Sequence, residues 1–167
     1  MTAVPTGRID ALPWPTVAKS LVGGSLLVLP IGAAAKAHGP HLPLGTGQFV
    51  VEALADRLAA RLPVLIAPTI GIGYFPAFVE YPASQHISAD LFQALLENVM
   101  RRFIASGAKN LLLLNNGVST EGPVIVAAHT IYAETDVRPS VAQLRLFGRD
   151  ADQHLDDPSG GHADEPE

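Results

Sequence analysis

The 167-residue sequence contains no cysteine, a single tryptophan and no cluster of lysine or arginine. Without cysteine the chain has no disulfides, no thiolate metal ligands and no sulfur nucleophile, a composition compatible with a reducing cytoplasm. Charge is scarce as well: 16% of residues are charged and the net charge is −5, which argues against a nucleic-acid or anionic-membrane surface. Long apolar runs are missing. The most apolar window, residues 21–35, is broken by Gly23, Gly24, Pro30 and Gly32, whereas a membrane helix needs about 20 nearly unbroken apolar residues. No basic stretch precedes an apolar run at the N-terminus, so no signal peptide is expected and a cytoplasmic location is the default. GxGxxG, P-loop, GxSxG and HExxH patterns are all absent, which leaves nucleotide-binding and serine-hydrolase readings with little support.

What the chain does have is 48% apolar residues, enough for one ordinary core. Residues 1–20 read as an N-terminal arm or short lead-in element, with Trp14 as an anchor on the core or on a neighbouring subunit. Residues 21–148 read as a single α/β domain. The apolar run 25–31 suits a strand covered on both faces. A helix is expected over residues 48–61 from the spacing of Val50, Val51, Leu54, Ala55 and Leu58, stopped by Pro63 before a short strand at 64–67. A long Gly/Pro/aromatic loop covers 68–87, and loops of that length inside a domain are usually functional. Ser88 is placed to cap the next helix, and Gly107 to close it. A strand at 110–114, a helix from Glu121 to Glu134 and a strand over 141–147 complete the pattern. Residues 149–167 form an acidic, Gly/Pro-rich tail, read as exposed.

Strands alternating with helices imply a mostly parallel sheet with helices on both faces. Ligands bind such sheets beyond the carboxyl ends of the strands. The loops 32–47, 68–87 and 115–120, and the tail, all follow strands, so His38, His41, His86 and His162 are expected on one side of the molecule. His38 and His41 stand in A-H-G-P-H, where the rigid Gly-Pro spacing fixes two imidazoles as a metal or proton-transfer site requires. His86 is a further metal candidate, a local turn contact being its commoner use. His162, next to Asp164, Glu165 and Glu167, has the surroundings of a general acid/base or a ligand, or simply of a solvated terminus. The turn from Asn115 to Thr120 is either a helix cap or an anion-binding N-terminus.

Three segments in order carry a resemblance. LPIGAAAKAHGPHLPLGTGQ resembles the loop signature G-x-x-x-E-x-H-G-P-H-L-P-L-x-T-D of the creatininase (creatinine amidohydrolase) family. LLLLNNGVST is similar to that family's third-strand segment, and GGHADEPE to its G-H-A-x-E-x-E. The resemblance implies a three-layer α/β/α fold and a hydrolase of non-peptide C–N bonds, often in cyclic amides. It implies two divalent metals, zinc or manganese, a small-molecule amide substrate and a homo-oligomer. It places a ligand on His38 and a proton-transfer histidine on His162, with Glu165 beside it. At the remaining ligand positions this sequence holds Lys36 or Ala37, Gly47, Gly117 and Ser119. Losing a bridging carboxylate removes both a ligand and the charge that lets two dications sit close together. The chain also stops within a segment the family continues through, which reads as a fragment or a truncated relative.

Three readings follow. The first is a hydrolase with a rebuilt one-metal site on His38, with His41 or His86 and Glu167 as further ligands and His162 and Glu165 as catalytic groups. The second is a non-catalytic relative that binds a small molecule or a partner subunit. The third is a metal-free enzyme using His162 and the Asn115–Thr120 turn.

Overall fold

The computed structural model describes residues 6–147. Five strands, β1 (Gly7–Arg8), β2 (Leu26–Ile31), β3 (Val64–Ile66), β4 (Asn110–Asn115) and β5 (Ser140–Gln143), form one sheet. Its order is β1-β3-β2-β4-β5 and every pairing is parallel. The helices are α1 (Trp14–Val22), α2 (Thr46–Ala59), α3 (Ala89–Ala105), α4 (Glu121–Thr135) and the short α5 (Leu144–Phe147). Tail residues 149–167, including His162, Glu165 and Glu167, lie outside the described residues.

Side chains alternate across a strand, and β2 shows the consequence. Leu27, Leu29 and Ile31 join Leu21 of α1, Phe92, Leu96 and Met100 of α3, and Val124 and Ile131 of α4 in one core. Val28 faces the other way, into a smaller core with Val51 and Ala55 of α2 and with Ile66 and Leu114. Helices therefore cover both faces of a parallel sheet, as the alternation of elements requires. Ser88 caps α3, its hydroxyl accepting from the Leu91 N–H at 3.3 Å. Gly107, just past α3, has φ +99°, and a Cβ there would stand 2.6 Å from Val22 Cγ2. Glycine is required on both counts.

The segment read as an arm carries structure of its own. Gly7–Arg8 is an edge strand on β3, and the Arg8 guanidinium is paired with Asp56 of α2 at 3.1 Å. Trp14 starts α1 and is 79% exposed, so it does not anchor the core of its own chain. The strand expected over 141–147 is also corrected. β5 pairs with β4 only as far as Gln143 opposite Asn115; β4 ends there, no ladder remains, and the chain coils into α5. Among the described residues no helix is long and apolar enough to cross a membrane.

Candidate functional site

Because all five strands are parallel, the loops after β2, β3 and β4 share one edge of the sheet. Beyond Ile31 the chain stays extended alongside the loop that follows β3. Gly32 N–H donates to Ile70 O at 3.2 Å, Ala34 N–H to Gly71 O at 2.8 Å, and Gln85 N–H to Ala35 O at 2.8 Å. Ala37 N–H donates to Ser84 Oγ at 3.0 Å, and Lys36 N–H to Leu44 O at 3.1 Å. These bonds fix Lys36 and His38 over the end of the sheet. The other wall is the turn after β4. Asn115 is buried there, its amide donating to Gly117 O at 2.7 Å and to Gln143 Oε1 at 2.5 Å, and its carbonyl accepting from Thr120 Oγ1 at 2.8 Å. Asn116 Nδ2 donates to Gly47 O at 3.1 Å, joining this turn to the start of α2.

Between these walls lies a cavity of about 390 Å³, a volume suited to a small molecule. Its lining includes Ala33, Lys36, His38, Phe75, Phe78 and Arg145, with Gly47 and residues 116–119. Lys36 is only 9% exposed, and its Nζ stands 3.7 Å from the centroid of the Phe78 ring, a cation–π contact. Arg145 forms a two-point pair with Glu121, Nε to Oε1 and Nη2 to Oε2, both at 3.1 Å. That hydrogen bonding holds the guanidinium pKa above its ordinary value. Among the described residues no carboxylate side chain is in the lining.

The sequence-predicted histidines separate. His38 is in the cavity wall. His41 is exposed and is not among the described residues of the lining. His86 is used structurally: its Nδ1 accepts the Phe75 N–H at 2.8 Å, and its ring lies 5.5 Å from that of Tyr74. A neutral imidazole accepting at Nδ1 carries its proton on Nε2, which leaves no lone pair for a metal. Phe75 and Phe78, from the long aromatic loop, also line the cavity. Lys36 and Arg145 were not singled out by sequence. Lys36 enters only as an occupant of one of the family's ligand positions, and Arg145 falls in a stretch read as strand.

An all-parallel α/β domain with a cavity at the carboxyl ends of its central strands is a small-molecule-site domain. The model of the creatinine amidohydrolase family, Creatininase, matches residues 10–167, and the chain belongs to that family. It is 24% identical over 103 residues to a creatinine amidohydrolase of Pseudomonas putida, a match covering 59% of this chain and 39% of that protein. A manganese creatininase structure superposes with a TM-score of 0.75 at 21% identity, over 89% of this chain and 63% of that one. A creatininase variant complexed with creatine superposes with a TM-score of 0.72 at 22% identity, over 84% and 59%. The chain thus spans less than two thirds of the length of these relatives.

The divalent metals of this family can be tested against the donors present. Among the described residues, no group of three or more His, Cys, Asp or Glu side chains could hold a metal ion. Two vacated positions are also tight for any side chain. A Cβ on Gly117 would stand 2.5 Å from Thr120 Oγ1, and one on Gly47 would stand 3.0 Å from Ala33 N. Lys36 adds a cation to the wall. The described residues do not fit a two-metal centre.

Proposed function

We propose that this chain is a small-molecule-binding member of the creatininase family that keeps the strand-edge cavity without the two-metal hydrolytic centre. One observation carries this reading: among the described residues the cavity lining holds Lys36, His38, Arg145 and Gly47 and Gly117, and no carboxylate. Divalent metals of this type need carboxylate or imidazole donors in convergent geometry, and a neighbouring ammonium opposes them. The ligand belongs to the size class of the family's small amides and their products.

A second reading is supported by His38 in the cavity wall: a metal-dependent amidohydrolase with a single zinc or manganese. His38 and Glu167 would be ligands, and His162 and Glu165 the acid/base pair. Elemental analysis of the dialysed full chain and of His38→Ala separates the two. We expect well under one zinc or manganese ion per chain, with no release of product from creatinine or other cyclic amides. About one ion per chain, lost in His38→Ala, would sink the binding reading in favour of the hydrolase.

A further inference from the structure

We propose that the outer edge of β5 docks an extended segment of a partner polypeptide, which extends the sheet by one strand and sets a carboxylate on Arg138. The site is separate from the cavity at the strand ends. The sheet has two unequal edges. At one, β1 is only two residues long and its Arg8 is tied to Asp56 of α2. Shortness and charge of this kind blunt an edge against further pairing. At the other, β5 reads Ser140-Val141-Ala142-Gln143, carries no charged residue and bonds only to β4. Among the described residues nothing pairs with its far side, so backbone N–H and C=O groups face outward there. The neighbouring helix is apolar on two faces. Val124, Ala127, Ala128 and Ile131 of α4 are buried in the larger core, whereas Ile125, Val126 and Tyr132 are exposed. A helix apolar on all sides is one that is covered on all sides.

Charge decides the occupant. Ile125, Tyr132 and Val141 wall a groove of about 470 Å³ between α4 and β5, and Arg138 and His129 belong to the same lining. That lining holds no carboxylate among the described residues, and Arg138 forms no ion pair with any of them. The complement is an extended chain whose backbone pairs with β5 and whose alternate side chains enter the groove. Two of those side chains are apolar, against Ile125, Tyr132 and Val141, and one is a carboxylate that meets the guanidinium.

The test titrates the full chain with the peptide acetyl-Val-Thr-Glu-Thr-Val-amide, read by amide chemical shifts. Two control peptides carry Gln in place of Glu, or N-methyl groups on the backbone nitrogens. The Glu peptide is expected to shift the amides of residues 138–143 and 125–132 saturably. The Gln peptide should bind about threefold to fivefold more weakly, as an exposed ion pair allows. The N-methyl peptide, which cannot donate to the strand, should bind at least about tenfold more weakly. Arg138→Gln is expected to bring the Glu peptide down to the Gln peptide's affinity and to leave the Gln peptide unchanged. Absence of saturable shifts along β5, or equal binding of the N-methyl peptide, would overturn the proposal. So would a Glu peptide indifferent to Arg138→Gln. Concentration-dependent shifts of β5 without any peptide, with a dimer in sedimentation, would give the edge to a second copy of this chain instead. Amides of β5 already protected from exchange in the peptide-free monomer would show that the edge is covered within the chain, and the proposal would fail.

Discussion

Asn115 shows how one buried side chain can set the geometry of a turn. Its amide reaches Gly117 O and Gln143 Oε1, while its oxygen accepts from Gly117 N–H and Thr120 Oγ1. With Thr120 and Asn115 each 1% exposed, the buried bonds from Asn115 to Thr120 and Gln143 have little access to water as an alternative partner, and breaking either carries a desolvation cost. Gly117 is locked into this network by space, since a Cβ would meet Thr120 Oγ1 at 2.5 Å. Gly117→Ala must therefore displace the threonine hydroxyl, and we expect a loss of about 1–3 kcal/mol in urea unfolding. In a Thr120→Ala background the same substitution should cost clearly less, because the clash and the bond it breaks are gone; equal costs in the two backgrounds would refute this coupling. At this scale the sequence was legible where chemistry is carried by a motif. A-H-G-P-H singles out His38, which lines the cavity; the Asn115–Thr120 turn is read as either a helix cap or an anion-binding N-terminus, and Thr120, at the N-cap of α4, makes no side-chain cap hydrogen bond there. The burial of Lys36 was not legible, because lysine is rarely buried and nothing local announces it.

Between elements, the outer faces of α3 and α4 are joined by Arg101. Its guanidinium donates to Glu134 through Nε at 2.8 Å and Nη2 at 2.9 Å, and also to Glu97 one turn back at 2.9 Å. The hydrogen bond from Arg101 holds the Glu134 carboxyl below its ordinary value of 4.5. A carboxyl with a folded-state pKa below the unfolded one stabilises the fold above the unfolded value. That contribution is lost as pH falls through the folded value. The melting-temperature gap between the parent and Glu134→Gln should thus be positive near neutrality and close in acid, between about pH 4.5 and lower values. Added salt should shrink it at neutral pH, because the pair is exposed. A gap that stays constant down to about pH 3 would assign the effect to something other than this ion pair. The two helices themselves were legible from Ser88, from apolar spacing and from Gly107. The end of β5 was not: alternation through Val141, Gln143 and Arg145 fits period two, but a strand lasts only as long as its neighbour offers a ladder. β4 stops at Asn115. Edge strand β1 was invisible for a related reason, since two residues, Gly7 and Arg8, carry no periodicity at all.

For the whole molecule, the decisive feature is that β2 runs between both cores. Leu29, 1% exposed, faces the larger core shared with α1, α3 and α4, while Val28, fully buried, faces the smaller one under α2. The cavity loops grow from the carboxyl end of this same strand, so the site is only as rigid as the sandwich of two cores around β2. With β2, β3 and β4 all contributing to both cores, neither core should melt alone, and unfolding should be cooperative across both faces. The single tryptophan makes this measurable. Trp14 belongs to α1, on the larger-core side, so its fluorescence reports one face while far-ultraviolet circular dichroism reports all helices, α2 included. Leu29→Ala is expected to cost about 2–5 kcal/mol and Val28→Ala a smaller amount. The informative result is coincidence: in the parent and in both variants the two transitions should superimpose and shift together. A Val28→Ala protein that lost helical signal before its tryptophan responded would mean that α2 unfolds separately from the rest. The floor of the cavity at Gly47, in the first turn of α2, would then be a locally unstable part of the site rather than a fixed wall.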